Sequence, residues 1–318
     1  MRKDAKKVRT AELARVQGYH AGGSGWGSEN YAYAGFKSNK YFTSDRYIPL
    51  DESFVRPDGK PLKGYGLEIE TECRGIHNQG VYAEVLSSII FAQFPADLFK
   101  MQNDGSLSGD TSAECITQVM TKEFIRNNYS AFKLMYDTYF PAFNITCGTN
   151  CGMHANISRA CFGRSESAQA LAVKKLYYII NKHFDLCCVL LNRDRHNTHY
   201  CARMSYDVEY VKNLDLSRQH SSHGVSFNLG HWNAGRIEIR LVGGQKNYPC
   251  FRNTMESIFW LVDAVKRLSW SDCDDIAKIF SGCNQYVFDR LTKCRTDGVL
   301  SNDIVEAVRP TVIREELI

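Results

Sequence analysis

Apolar and polar residues alternate strictly in three short stretches of this chain. In Gly66-Leu67-Glu68-Ile69-Glu70-Thr71-Glu72, Leu67 and Ile69 fall on one side of an extended backbone and Glu68, Glu70 and Glu72 on the other, because successive strand side chains point to opposite faces. Met153-His154-Ala155-Asn156-Ile157 repeats the pattern, with His154 and Asn156 opposed to Met153, Ala155 and Ile157. Arg236-Ile237-Glu238-Ile239-Arg240-Leu241 repeats it again. Each is predicted to be a strand with one core face and one polar face. Elsewhere apolar residues recur at helical spacing, and helices are predicted over residues 82–94, 122–139, 165–191, 252–268 and 274–291. Ser165 stands where its hydroxyl can cap the third of these. Leu171, Leu176, Ile179, Ile180 and Phe184 are that helix's expected core stripe. Short strands mixed with long helices, in no regular βαβ order, predict an α+β fold.

With 318 residues, 44% apolar and 23% charged, the chain can bury a conventional core, which excludes disorder as a whole. At this length one large domain or two are expected. The formal net charge of +4 is too balanced to mark a nucleic-acid or membrane-surface protein. Apolar runs such as Leu186 to Leu191 fall far short of the roughly 20 residues that cross a bilayer, so no membrane span is expected. The basic start (Arg2, Lys3, Lys6, Lys7, Arg9) is not followed by an apolar block of about 7 to 15 residues, so no secretory signal is expected and a cytoplasmic location is. The twelve Cys are then expected to be free thiols packed as small apolar groups. Cys147, Cys151 and His154 lack the spacing and the fourth ligand of a zinc site.

The polar faces carry the candidate chemistry. Acids, an imidazole and a guanidinium gathered on one sheet face would concentrate like charge unless cations were bound there, and magnesium, which prefers oxygen ligands, is the natural counter-ion. Residues two apart on a strand are separated by about 6.5 to 7 Å, so Glu68 and Glu70 suit neighbouring ions. Asn103-Asp104-Gly105-Ser106 reads as a turn, and Glu114 beyond it is a further candidate ligand. There is no Walker sequence and no GxGxxG fingerprint, so P-loop and Rossmann chemistry are not expected. If ATP binds, metals and Arg side chains must hold its phosphates.

Taken in order, Gly-Leu-Glu-Ile-Glu at 66–70, Asp104-Gly105-Ser106, Glu114, Cys151-Gly152-Met153-His154, Asn228-Leu229 and Ile237-Glu238-Ile239-Arg240 resemble the amidoligase family of carboxylate–amine ligases, relatives of glutamine synthetase and glutamate–cysteine ligase. Arg193, Arg195, Asn197, Tyr200 and Cys201 resemble its segment rich in Arg and Asn. The resemblance covers roughly residues 64 to 268. It implies a glutamine synthetase-like antiparallel sheet, backed by helices, whose concave face binds ATP and magnesium. By position it implies metal ligation by Glu68, Glu70, Glu114 and Glu238, a metal- or phosphate-side role for His154, phosphate binding by Arg240, and substrate or phosphate contacts for Arg195 and Asn197. Where many relatives have a second His, this chain has Asn156.

The domain map that follows is a basic Gly/aromatic flexible tail over 1–36, an irregular lead-in over 37–63, an amidoligase-like catalytic domain over 64–270 and a C-terminal helical extension over 271–318. The implied activity is ATP- and magnesium-dependent ligation of a carboxylate to an amine through an acyl phosphate. Glu72 or Glu114 is the candidate to deprotonate the amine. The substrates are expected to be small molecules, peptides or protein side chains. The competing reading is a catalytically inactive scaffold used for binding, with Asn156 marking erosion of the site. Nucleic acid is not the expected partner, although the arm's Tyr19, Trp26, Tyr31 and Tyr33 interleave with basic residues.

Overall fold

A computed structural model describes residues 63–76, 79–94, 98–102, 107, 112–148 and 150–310. The 1–36 tail, all but the last residue of the 37–63 lead-in, and the Asp104-Gly105-Ser106 turn lie outside the described residues. The chain divides into two compact units. The first takes the described residues through Ser158 with Ala234–Arg236 and Gly244–Tyr248, and the second takes Arg159–Asn233, Ile237–Gly243 and the chain from Pro249 on. Among the described residues, no helix is long and apolar enough to cross a membrane.

The first unit is built on an antiparallel sheet backed by helices. Its central strand is β1 (Tyr65–Cys73), flanked by β3 (Ser112–Thr117) and β5 (Met153–Ser158), with β2 (Phe99–Gln102) outside β3 and β4 (Ile145–Thr146) pairing the end of β1. Leu67, Ile69, Met153, Ala155 and Ile157 are all buried, as the alternation predicts, and Ala113 and Cys115 of β3 are buried beside them on the same face. The helix Gln79–Gln93 is anchored to β1: Tyr82 donates its hydroxyl to Thr71 Oγ1 at 2.6 Å, and Thr71 passes a hydrogen bond on to the carbonyl of Ala113 at 2.9 Å. Buried hydroxyls are thus satisfied in a chain rather than left in an apolar layer. The helix expected over 122–139 is interrupted. It starts at Thr121, whose hydroxyl accepts from Phe124 N, breaks at Asn128, and widens into a π turn over Met135–Tyr139.

Gln118, just beyond β3, is fully buried, and neither polar atom of its side chain finds a partner. Its backbone N–H donates to Leu98 O at 2.7 Å. Each buried, unmade hydrogen bond costs about 1–3 kcal/mol, whereas an apolar group of similar shape carries no such cost. Gln118→Met is therefore expected to raise stability by about 1–3 kcal/mol. Chemical denaturation checks this, and a lower midpoint in the variant would show that the carboxamide supports the fold.

In the second unit the helix Glu166–Lys182 is capped as expected, Ala168 N donating to Ser165 Oγ at 3.3 Å. It stops at His183, and a separate helix, Phe184–Leu190, follows where one continuous helix to 191 is predicted. Leu176, Ile179, Ile180 and Phe184 are buried, but Leu171 is 44% exposed. At 100° per residue Leu171 lies about 140° around the helix from Leu176, off the buried stripe that Ala172, Val173 and Leu176 define. The helix expected over 274–291 is also two, Ile276–Phe280 and Gln285–Thr296. Gly282, at φ +74, turns the chain between them, and Asn284 caps the second by accepting from Val287 N at 3.1 Å. The long helix Tyr248–Arg267 runs into a carbonyl, Leu268 O, that receives the buried ammonium of Lys175, a cation at the negative end of a helix. A two-stranded antiparallel ladder, β6 (Phe227–Asn228) and β7 (Arg236–Ile239), sets Asn228 opposite Glu238. All twelve Cys are free and ten are buried, as expected of thiols used for packing.

Candidate functional site

Register creates the site in the first unit. Antiparallel pairing sets Glu70 of β1 directly opposite Glu114 of β3, Glu68 opposite His154 of β5, and Gly66 opposite Asn156. Side chains of paired residues share a face, so three acids, an imidazole and a carboxamide converge. Glu70 and Glu114 are only 6% and 8% exposed. His154 stands among the acids, with Nδ1 3.0 Å from Glu68 Oε2, Nε2 3.5 Å from Glu70 Oε1, and Nδ1 3.9 Å from Glu114 Oε1.

The backbone and two further side chains complete the arrangement. Gly152 N–H donates to Glu70 Oε2, while Glu70 N–H donates to Gly152 O at 3.1 Å. Asn156 Nδ2 donates to Glu68 Oε1 at 2.8 Å, and Asn156 Oδ1 accepts from Arg236 Nη1. Burial alone would raise the pKa of Glu68, but the His154 hydrogen bond and charge, the Arg236 guanidinium and the Asn156 amide outweigh it and pull Glu68 down to about 2. Glu68 is thus an anion held from both sides.

Glu70, Glu114 and His154 each offer a ligand atom, and these atoms all lie within 4.8 Å of one another. Ligands at about 2.0–2.1 Å from a small divalent ion lie roughly 3–4 Å apart, and the 3.5 Å between His154 Nε2 and Glu70 Oε1 falls in that range. Two carboxylates and an imidazole fit a divalent cation of the magnesium or manganese type.

The second unit carries its own cluster. Glu238, 3% exposed, accepts from Arg240 Nη1 at 2.7 Å on one oxygen and from Asn228 Nδ2 at 2.8 Å on the other, with His231 Nε2 3.8 Å away. Arg240 Nε donates to His223 O at 3.1 Å, and Asn228 Nδ2 also donates to Ser221 Oγ at 3.1 Å. Arg195 is exposed and Asn197 half-buried on the loop after Phe184–Leu190.

Of the expected site residues, Glu68, Glu70, Glu114 and His154 come together in the first unit, and Glu238 with Arg240 in the second. Sequence reasoning missed the Gly152 N–H, the Arg236–Asn156 contact and His231. The first two sat inside quoted motifs, whereas His231 adjoins a 3-10 turn, Trp232–Ala234, with no periodicity to reveal it.

No family model matches the chain, and no curated protein matches it. Among solved structures it is similar to a bifunctional glutathione synthetase from Pasteurella multocida, at 12% identity and a TM-score of 0.35 over 77% of this chain and 46% of that one. It is also similar to a GmaS/ADP complex, at 13% identity and a TM-score of 0.39 over 96% of this chain and 71% of that one. The chain thus spans less than half the length of the glutathione synthetase.

Proposed function

We propose that this protein is an ATP- and magnesium-dependent carboxylate–amine ligase that forms an amide or peptide-like bond through an acyl phosphate. The observation that carries this reading is the buried Glu70, Glu114 and His154 set on the polar face of an antiparallel sheet. Two carboxylates placed directly opposite each other in a low-dielectric layer repel, and a divalent cation converts that repulsion into binding. Bound divalent cations would supply neutralisation of phosphate oxygens, so that an anionic carboxylate can approach ATP.

The chain's own residues do the rest. Glu70, Glu114 and His154 would hold the cation, and Glu68 would serve as a further carboxylate at the same face. Glu238 is assigned as a late acidic ligand and Arg240 to charge on the transferring phosphoryl group, while Arg195 and Asn197 are assigned to substrate or phosphate. Glu72 is half-buried two residues beyond Glu70, opposite Ser112 and Thr146. With Glu114 committed to the cation, Glu72 is the acid left to take the proton of the incoming ammonium.

The reading is tested by incubating the full chain with ATP, magnesium and pooled amino acids and peptides. Release of ADP is followed together with mass spectrometry for products lighter by one water than the sum of their parts. ADP formation coupled to such a product is expected. Neither ADP nor condensation product would overturn the ligase in favour of the inactive scaffold.

A further inference from the structure

A carboxamide between a guanidinium and a carboxylate has only one good orientation. Asn156 presents Oδ1 to Arg236 Nη1 and Nδ2 to Glu68 Oε1, the latter at 2.8 Å. Arg236 can only donate and an ionised carboxylate can only accept, so Arg236 prevents the near-isosteric flip that would turn the Asn156 carbonyl toward Glu68. Glu68, held on one oxygen by Asn156, faces His154 Nδ1 with the other at 3.0 Å. With a cation on Nε2, which lies 3.5 Å from Glu70 Oε1, an anionic acceptor at that distance holds the ring's remaining hydrogen on Nδ1. A carboxylate behind a ligating imidazole orients the ring and raises its basicity.

We propose that Arg236 and Asn156 are positioning residues, forming with Glu68 a relay that fixes the His154 tautomer and thereby sets the affinity of the Glu70–Glu114–His154 cluster for a divalent cation. This rests on the metal part of the proposed function. In this relay the charge comes from Arg236 and the direction from Asn156, so a neutral amide at position 156 leaves the cluster competent.

Manganese, titrated into the full chain and followed by electron paramagnetic resonance, tests the relay. Arg236→Gln and Asn156→Leu are each expected to weaken binding about 10- to 100-fold, and Arg236→Lys, which keeps the charge, less. The double variant should bind no more weakly than Asn156→Leu alone, because both changes cut one chain of contacts. In ¹⁵N-histidine-labelled protein saturated with magnesium, His154 should be a single Nδ1–H tautomer in the parent and a mixture in Arg236→Gln. A merely structural arginine would not move that signature.

Parent-like manganese affinity and tautomer in Arg236→Gln would overturn the relay, as would losses that multiply in the double variant. If Arg236→Gln fails to fold, Arg236→Lys and Asn156→Leu carry the same comparison. A parent that binds manganese with this dependence yet releases no ADP would remove the ligase reading and leave the relay standing. A parent that binds no manganese removes both.

Discussion

Glu114→Gln and Glu70→Gln are each expected to reduce magnesium-dependent ADP release by at least about two orders of magnitude while leaving the fold intact or slightly more stable. Metal-borne stabilisation of transition-state charge amounts to several kcal/mol, and about 1.4 kcal/mol is tenfold in rate. Removing one of two buried carboxylate ligands forfeits much of it. The opposite sign in stability follows from the register. Glu70 and Glu114 face each other across β1 and β3, and like charges placed directly opposite each other in a sheet are destabilising. A variant that unfolds more readily and also loses activity would say only that the pair is structural. One that keeps or gains stability and loses turnover would show that the acids face each other for a ligand. Parent-like ADP release in both variants would remove them from the mechanism.

Much of this was legible in the sequence because a strand's two faces are written at period two. The alternation in 66–72 and 153–157 identified which side chains of β1 and β5 lie together on a polar face, and β7 occupies the first four residues of the 236–241 stretch. Pairing was not legible. That Glu70 meets Glu114, 44 positions along the chain, depends on which strand lies beside β1 and in which register, and a one-residue slip would have sent Glu114 to the opposite face. The same holds for Gly152. Its turn chemistry could be read, but the N–H it aims at Glu70 exists only once β5 is in place.

The helices show where a periodic pattern overrides local signals. Gly282 and Asn284 interrupt the stretch 274–291, and both are breakers in their own right, a left-handed glycine and a cap. The apolar period carried the prediction straight through them. Leu171 failed for a different reason: it is apolar but off the stripe, and a hydrophobic residue need not be inside. Gln118 ran the other way, a polar residue with no partner in a fully buried position, which no pattern of hydrophobicity anticipates.

Arg240→Met is expected to lower stability by about 3–5 kcal/mol, the cost of leaving one partner of a buried ion pair uncompensated. Glu238 is almost completely buried and Arg240 nearly so, and the 2.7 Å contact between them is backed by the Arg240 Nε bond to His223 O. Without the guanidinium, Glu238 retains the Asn228 amide and a more distant His231. Those polar groups soften the loss but do not cancel the charge. Adding Glu238→Gln to Arg240→Met should recover a large part of it, because the uncompensated anion is then gone, and denaturant unfolding of the four proteins of this cycle measures the coupling directly. Arg240→Lys separates structure from chemistry. It keeps a positive charge against Glu238 and so costs less stability, but an ammonium cannot reproduce a planar fork that meets a carboxylate and a backbone carbonyl from different edges and, in the proposed role, a phosphate as well. ADP release should therefore fall in Arg240→Lys by more than its stability does, by about tenfold or more if a strong charge-assisted hydrogen bond is lost. Parent-like turnover in that variant, with the stability loss of Arg240→Met intact, would leave Arg240 a structural partner of Glu238 and nothing more.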